Sequence, residues 1–163
     1  MATDPAALYE TDFYAWTCRQ AAELRRLKEL RLNAELDLDH VAEEIEDLGN
    51  AARRSVRSHV RRVLEHFLKL AYSSAEAPGR SWRRSITDSR AELASDLTPT
   101  LRRDVRTRLP RLYAEARRAA ILGLEMYEEA EAARLLPEAN PWSLDDVLRD
   151  DWYPESQLQG SGG

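Results

Sequence analysis

The chain predicts an all-α fold: a helical bundle of about four long, mostly antiparallel helices followed by a short C-terminal helix. Three observations carry this reading. Apolar residues recur three and four apart through each long segment, strand-like alternation is absent, and the connections between segments are short. One domain over residues 1–155 is expected, with a polar, Gly-rich tail at 156–163 read as disordered or as an artificial extension.

Asp4-Pro5 is suited to cap an early turn, and Thr11 or Asp12 to cap a first long helix running to about Arg31. Asp37 or Asp39 opens a second helix over about 38–74. Its stripe is Val41, Ile45, Leu48, Ala52, Val56, Val60, Val63, Phe67 and Leu70, with Gly49 as the expected place for a bend. SSAEAPGRS reads as the clearest loop, with Pro78-Gly79 as its turn signal and Ser81 as N-cap of a third helix bearing Trp82, Ile86, Leu93 and Leu97. Thr98-Pro99 starts a fourth, which Pro110 should kink or restart, and whose apolar face continues through Leu112, Ala116, Ala119 and Tyr127. Pro137 and Pro141 end it, and Ser143 with Asp146 three residues on caps the last helix.

Composition narrows the setting. The 163 residues are 43% apolar and 33% charged, ordinary for a water-soluble chain and long enough to bury a core. No apolar run approaches the roughly 20 residues that span a bilayer, and MATDPAALYETDF has no secretory pattern, so a cytoplasmic location without membrane contact is expected. The single Cys18 excludes an intrachain disulfide framework and a Cys-rich zinc site, and reads as a packing residue rather than a nucleophile.

Net charge is −5, but it is segregated. Residues 1–52 carry 5 basic and 12 acidic side chains, residues 53–118 carry 17 and 7, and residues 119–163 carry 2 and 10. Such asymmetry suits a nucleic-acid face or mutual neutralisation inside the fold, and the second is preferred. The basic side chains are 22 Arg and 2 Lys, which favours planar, bidentate pairing with carboxylate or phosphate.

The densest acidic stretch is DHVAEEIEDLG, residues 39–49. On a helix Glu44 and Glu46 flank Ile45 at about 100° on either side, while Glu43 and Asp47 point away from the apolar stripe. Their closeness to a helix N-terminus is favoured by the macrodipole, by about 0.3–1 kcal/mol. Further along, His59, Arg62, His66 and Lys69 form a second boundary seam. Arg90 lies on the face holding Trp82, Ile86, Leu93 and Leu97, where an unpaired cation costs several kcal/mol. Glu44 or Glu46 is its expected partner, with Asp12 as the alternative and His66 and Lys69 in the same polar layer.

YETDFYAW, LDLDHVAEEIEDLG, HFLK, SWRRSITDSR and LPEANPW together resemble the bacterial domain of unknown function family 29, in order and spacing, from about Tyr9 to Pro154. The resemblance implies an all-α bundle from a bacterium, no established activity, and emphasis on Asp12, Trp16, Glu43, Glu44, Glu46, His66, Lys69, Trp82 and Arg90. Phe67 stands where that family usually has Leu, and Leu70 where an aromatic often follows the Lys; both keep the position apolar.

The favoured function is a structural or interaction module, with those residues as an interhelical polar network and no catalytic residue assigned. One alternative is a metal-dependent enzyme using Glu43, Glu44 and Glu46 for a divalent cation. His66 is about 30 Å beyond Glu46 along an unbroken helix, and Glu-x-x-His spacing is missing. No other cofactor is expected. Another alternative is nucleic-acid binding through Arg54, Arg57, Arg61, Arg62, Arg83 and Arg84, or HEPN-like ribonuclease chemistry at Arg61-x-x-x-x-His66, a spacing that Arg54 and His59 repeat. The apolar face of the second helix widens at Leu64 and Leu68, which suits a homodimer interface and the central helix of a monomer equally.

Overall fold

Residues 4–30 and 35–160 are described by the computed structural model, and among them the chain forms seven α-helices and no strand. They are α1 (Pro5–Thr11), α2 (Phe13–Glu29), α3 (Leu38–Tyr72), α4 (Glu76–Asp96), α5 (Pro99–Met126), α6 (Ala130–Leu135) and α7 (Leu144–Leu148). The all-α expectation holds, and the four long elements are α2 to α5.

Most helix starts obey local chemistry. Asp4 accepts from the Ala6 N–H, with Pro5 in the first turn of α1. Asp12 caps α2 through the Ala15 N–H at 3.0 Å. Thr98 Oγ1 accepts from the Leu101 N–H at 3.2 Å at the head of α5. Ser143 and Asp146 form the complete capping box of α7.

Three elements depart from expectation. Pro78-Gly79 is not a turn: α4 begins at Glu76 and takes both residues into its first turn, where a proline's missing N–H has no intrahelical partner to lose. Pro110 does not restart α5, which runs through it. The helix expected to reach Pro137 stops at Met126 instead. Glu128 adopts φ 62°, the Glu129 N–H returns to the Leu124 carbonyl at 2.9 Å, and α6 follows. The predicted end of the first long helix, Arg31, lies outside the described residues, as do the last three residues of the tail. Gln157–Gly160 form a 3-10 turn.

The chain divides into two compact units. Unit 1 comprises residues 1–56 and 96–104; unit 2 comprises residues 57–95 and 105–163. Both α3 and α5 therefore contribute a segment to each.

In unit 1 the buried face of α3 is Ala42, Gly49 and Val56; Ala42 and Gly49 stand one position on from the predicted Val41 and Leu48, which are exposed, and the face rejoins the predicted stripe at Val56. The shift follows from close approach of α2. A Cβ on Gly49 would lie 2.1 Å from Thr17 Oγ1, so only glycine lets α3 meet the fully buried Thr17. In unit 2, Val60, Val63, Leu64, Phe67 and Leu68 of α3 are fully buried, with Ile86 and Leu93 of α4 and Val105, Tyr113, Ala116 and Leu124 of α5. Leu64 and Leu68 thus belong to the core of unit 2, and the widened face needs no second copy of the chain to cover it.

Candidate functional site

The residues emphasised at the sequence level fall into separate clusters. In unit 1, Asp12 is buried and does two jobs: it caps α2 and accepts the Thr100 N–H at 2.8 Å from the start of α5. Burial works to raise its pKa, yet the hydrogen bonds from Ala15 and Thr100 outweigh it and hold the carboxyl below its ordinary value. Trp16 stacks on Phe13 at 5.7 Å and meets Tyr9 edge-on at 4.9 Å. Glu43, Glu44 and Glu46 are all exposed. Glu46 pairs with Arg25 at 2.5 Å and Asp39 pairs with Lys28, so this part of the acidic stretch links α3 to α2.

Arg90 in unit 2 is buried as expected, but its partners are carbonyls rather than Glu44, Glu46 or Asp12. Its guanidinium donates to Val147 O at 2.9 Å, Trp152 O at 2.9 Å and Asp146 O at 3.1 Å. Those carbonyls sit at and beyond the C-terminal end of the short α7, where backbone acceptors lack intrahelical donors, and a planar fork satisfies three at once. The cation also lies 5.4 Å from the Phe67 ring, which meets Trp142 and Trp152 edge-on. A second clamp holds the stretch before it. Tyr113 Oη donates to Pro137 O at 2.6 Å, and Arg117 donates to Pro137 O and Leu136 O. Burial pushes the Tyr113 hydroxyl up to about 12. Sequence reasoning missed Tyr113 and Arg117; their targets lie in LPEANPW, a block it did single out.

Lys69 pairs with Glu65 at 2.6 Å and lies across Gly123, where a Cβ would come within 2.8 Å of its Cε and Nζ. Trp82 is buried. His66 is part-buried, its Nδ1 is enclosed without a hydrogen-bond partner, and burial lowers its pKa to about 4. An imidazole so placed is neutral at pH 7. Among the described residues no three His, Cys, Asp or Glu side chains come together as a metal site. Of the arginines proposed for nucleic acid, Arg83 covers the Tyr153 ring at 4.5 Å, while Arg61, Arg62 and Arg84 are exposed.

Arg62 and Arg84 face a groove of about 380 Å³ between α3 and α4 of unit 2. His59 and Arg62 line it from α3; Ser81, Arg84, Ser85, Asp88, Ser89 and Glu92 line it from α4, all on one stripe three and four apart. Ser89 is 1% exposed and its Oγ has no hydrogen-bond partner; His59 Nδ1 is likewise enclosed and unpartnered. Neither arginine is engaged in an ion pair among the described residues. Guanidinium, imidazole and hydroxyl donors thus share one concavity with two carboxylates.

The family model described as Domain of unknown function DUF29 matches residues 8–153. Among solved structures, the chain is similar to an alpha-helical protein of unknown function from Rhodospirillum rubrum ATCC 11170. They share 28% identity with a TM-score of 0.74, over 88% of this chain and 90% of that one. No curated protein matches. No helix among the described residues is long and apolar enough to cross a membrane.

Proposed function

This chain belongs to the family Domain of unknown function DUF29, which brings no reaction with it, and we propose that it is a non-catalytic interaction module that binds its ligand in the α3–α4 groove of unit 2. The carrying observation is the unpartnered Ser89 Oγ at the groove, supported by the enclosed His59 Nδ1. Burying a hydroxyl without a hydrogen bond costs about 1–3 kcal/mol. Both atoms are enclosed in the groove's wall, so an occupant pairs with them only when the side chains over them move aside, and the cost of leaving them unpaired is what such an occupant would recover. The bacterial neighbour and the lone Cys18 support placing the module in the bacterial cytoplasm.

The reading is tested without any ligand. Ser89→Ala removes the unpartnered hydroxyl, and Ser85→Ala on the same helix controls for the helix propensity gained with alanine. Ser89→Ala should stabilise the free protein by about 1 kcal/mol more than Ser85→Ala, seen as a Tm about 2–4 °C higher. A Ser89→Ala protein less stable than its control would mean that the hydroxyl serves the fold, and the proposal would fail.

A further inference from the structure

Building on that reading, we infer that the groove takes a small phosphorylated polyol, of the sugar phosphate class. Arg62 and Arg84 present two planar forks, the geometry that grips a phosphate through paired N–H donors. Ser89 Oγ and His59 Nδ1 lie enclosed and unpartnered in the wall beneath them, within reach of an occupant once the side chains over them move aside. Asp88 and Glu92, one turn apart on α4, are acceptors only when ionised. They repel a bare polyanion and reward a ligand that carries hydroxyl donors beside its anionic head. A DNA backbone offers charge without hydroxyl donors, whereas a sugar phosphate offers both within one small molecule. The volume of about 380 Å³ lies at the small end of small-molecule sites, roughly 300–1,000 Å³, and suits one such molecule.

The test is an amide and imidazole NMR titration of the full chain with a hexose phosphate, inorganic phosphate, the free hexose and free serine. The hexose phosphate should shift resonances of residues 81–92 and of His59, and bind at least tenfold tighter than each of the others. Arg84→Met and Arg62→Gln should each weaken it at least tenfold; both side chains are exposed, so neither change threatens the fold. The Asp88→Asn, Glu92→Gln double variant should bring the hexose phosphate down to the level of inorganic phosphate. Equal affinity for inorganic phosphate and hexose phosphate would overturn the ligand class, as would a preference for serine. Absence of shifts at residues 81–92 with every probe would overturn it too. The Ser89→Ala comparison decides separately whether the enclosed hydroxyl is unpaired in the free protein, the observation on which the groove reading rests.

Discussion

Gly49→Ala is the sharpest perturbation of unit 1. On helix propensity alone it should help, by about 1 kcal/mol, because glycine is a poor helix former. The added methyl carbon would stand 2.1 Å from Thr17 Oγ1 and 3.1 Å from Thr17 Cβ, with Tyr14 Cδ2 at 3.5 Å. Rotating the hydroxyl away relieves only the first contact and sacrifices its 2.7 Å hydrogen bond to the Tyr14 carbonyl. The Cβ contact remains, and it is relieved only if α2 and α3 separate. Overpacking of this kind costs typically 1–3 kcal/mol, so the net change should be a loss of about 1–2 kcal/mol. Urea unfolding followed by far-UV circular dichroism reads it as a lower midpoint with unchanged slope. Thr17→Ala in the same chain removes Oγ1, and a double-mutant cycle should return about 1 kcal/mol of coupling between the two sites. A Gly49→Ala midpoint at or above the parent's would refute the close approach, and the one-position offset at Ala42 and Gly49 would lose its explanation.

Asp12→Ala removes both the α2 cap and the acceptor of the Thr100 N–H, and should cost about 2 kcal/mol in urea unfolding at pH 7. Because the folded pKa of Asp12 is depressed, its contribution is present above the unfolded value of 3.8 and is lost as pH falls through the folded one; the parent and the alanine variant should converge in acid. Arg90→Met strands three carbonyls and should cost about 3 kcal/mol, with the segment from Leu144 to Tyr153 becoming the first site of limited proteolysis. His66 acts in the opposite direction to a His with a carboxylate partner. Its folded pKa of about 4 lies below the unfolded 6.5, so between these values the unfolded chain binds the proton and stability falls as pH drops through that window, by up to about 3 kcal/mol. His66→Gln should flatten the fall between pH 6.5 and 4.5; an unchanged slope would mean that the ring is solvated.

The long helices were legible because their information is local. A cap residue, a three-and-four stripe and a capping box are written within a few residues, which is why Asp4, Thr98 and Ser143 are legible from sequence and Asp12 is one of two candidates beside Thr11. Proline was over-read for the same reason. Pro78 sits where a first turn tolerates it, and Pro110 lies within a 28-residue helix whose remaining hydrogen bonds and packing outweigh one lost donor. Arg90 shows the opposite limit. Burial was deducible from its face, but its acceptors are backbone carbonyls 56 to 62 residues away, and a carbonyl leaves no trace in residue identity. The Ser81–Glu92 stripe was hidden differently. Serines on a helix read as solvated, and only the burial of Ser89 without a partner sets this row apart.

Unit 1 is discontinuous, closed by residues 96–104 after unit 2 has already begun. On the ribosome this sets an order of events. When Val56 has been made, Asp12 still lacks the Thr100 amide that ties α2 to the head of α5. That donor arrives a few seconds later at about 5–20 residues per second. Until then the nascent helices must be held by their own caps and by the α2–α3 ion pairs. The exposed acidic row around Glu46, modest in the finished protein, would then do most in the unfinished one, keeping a half-made apolar face in register and in solution.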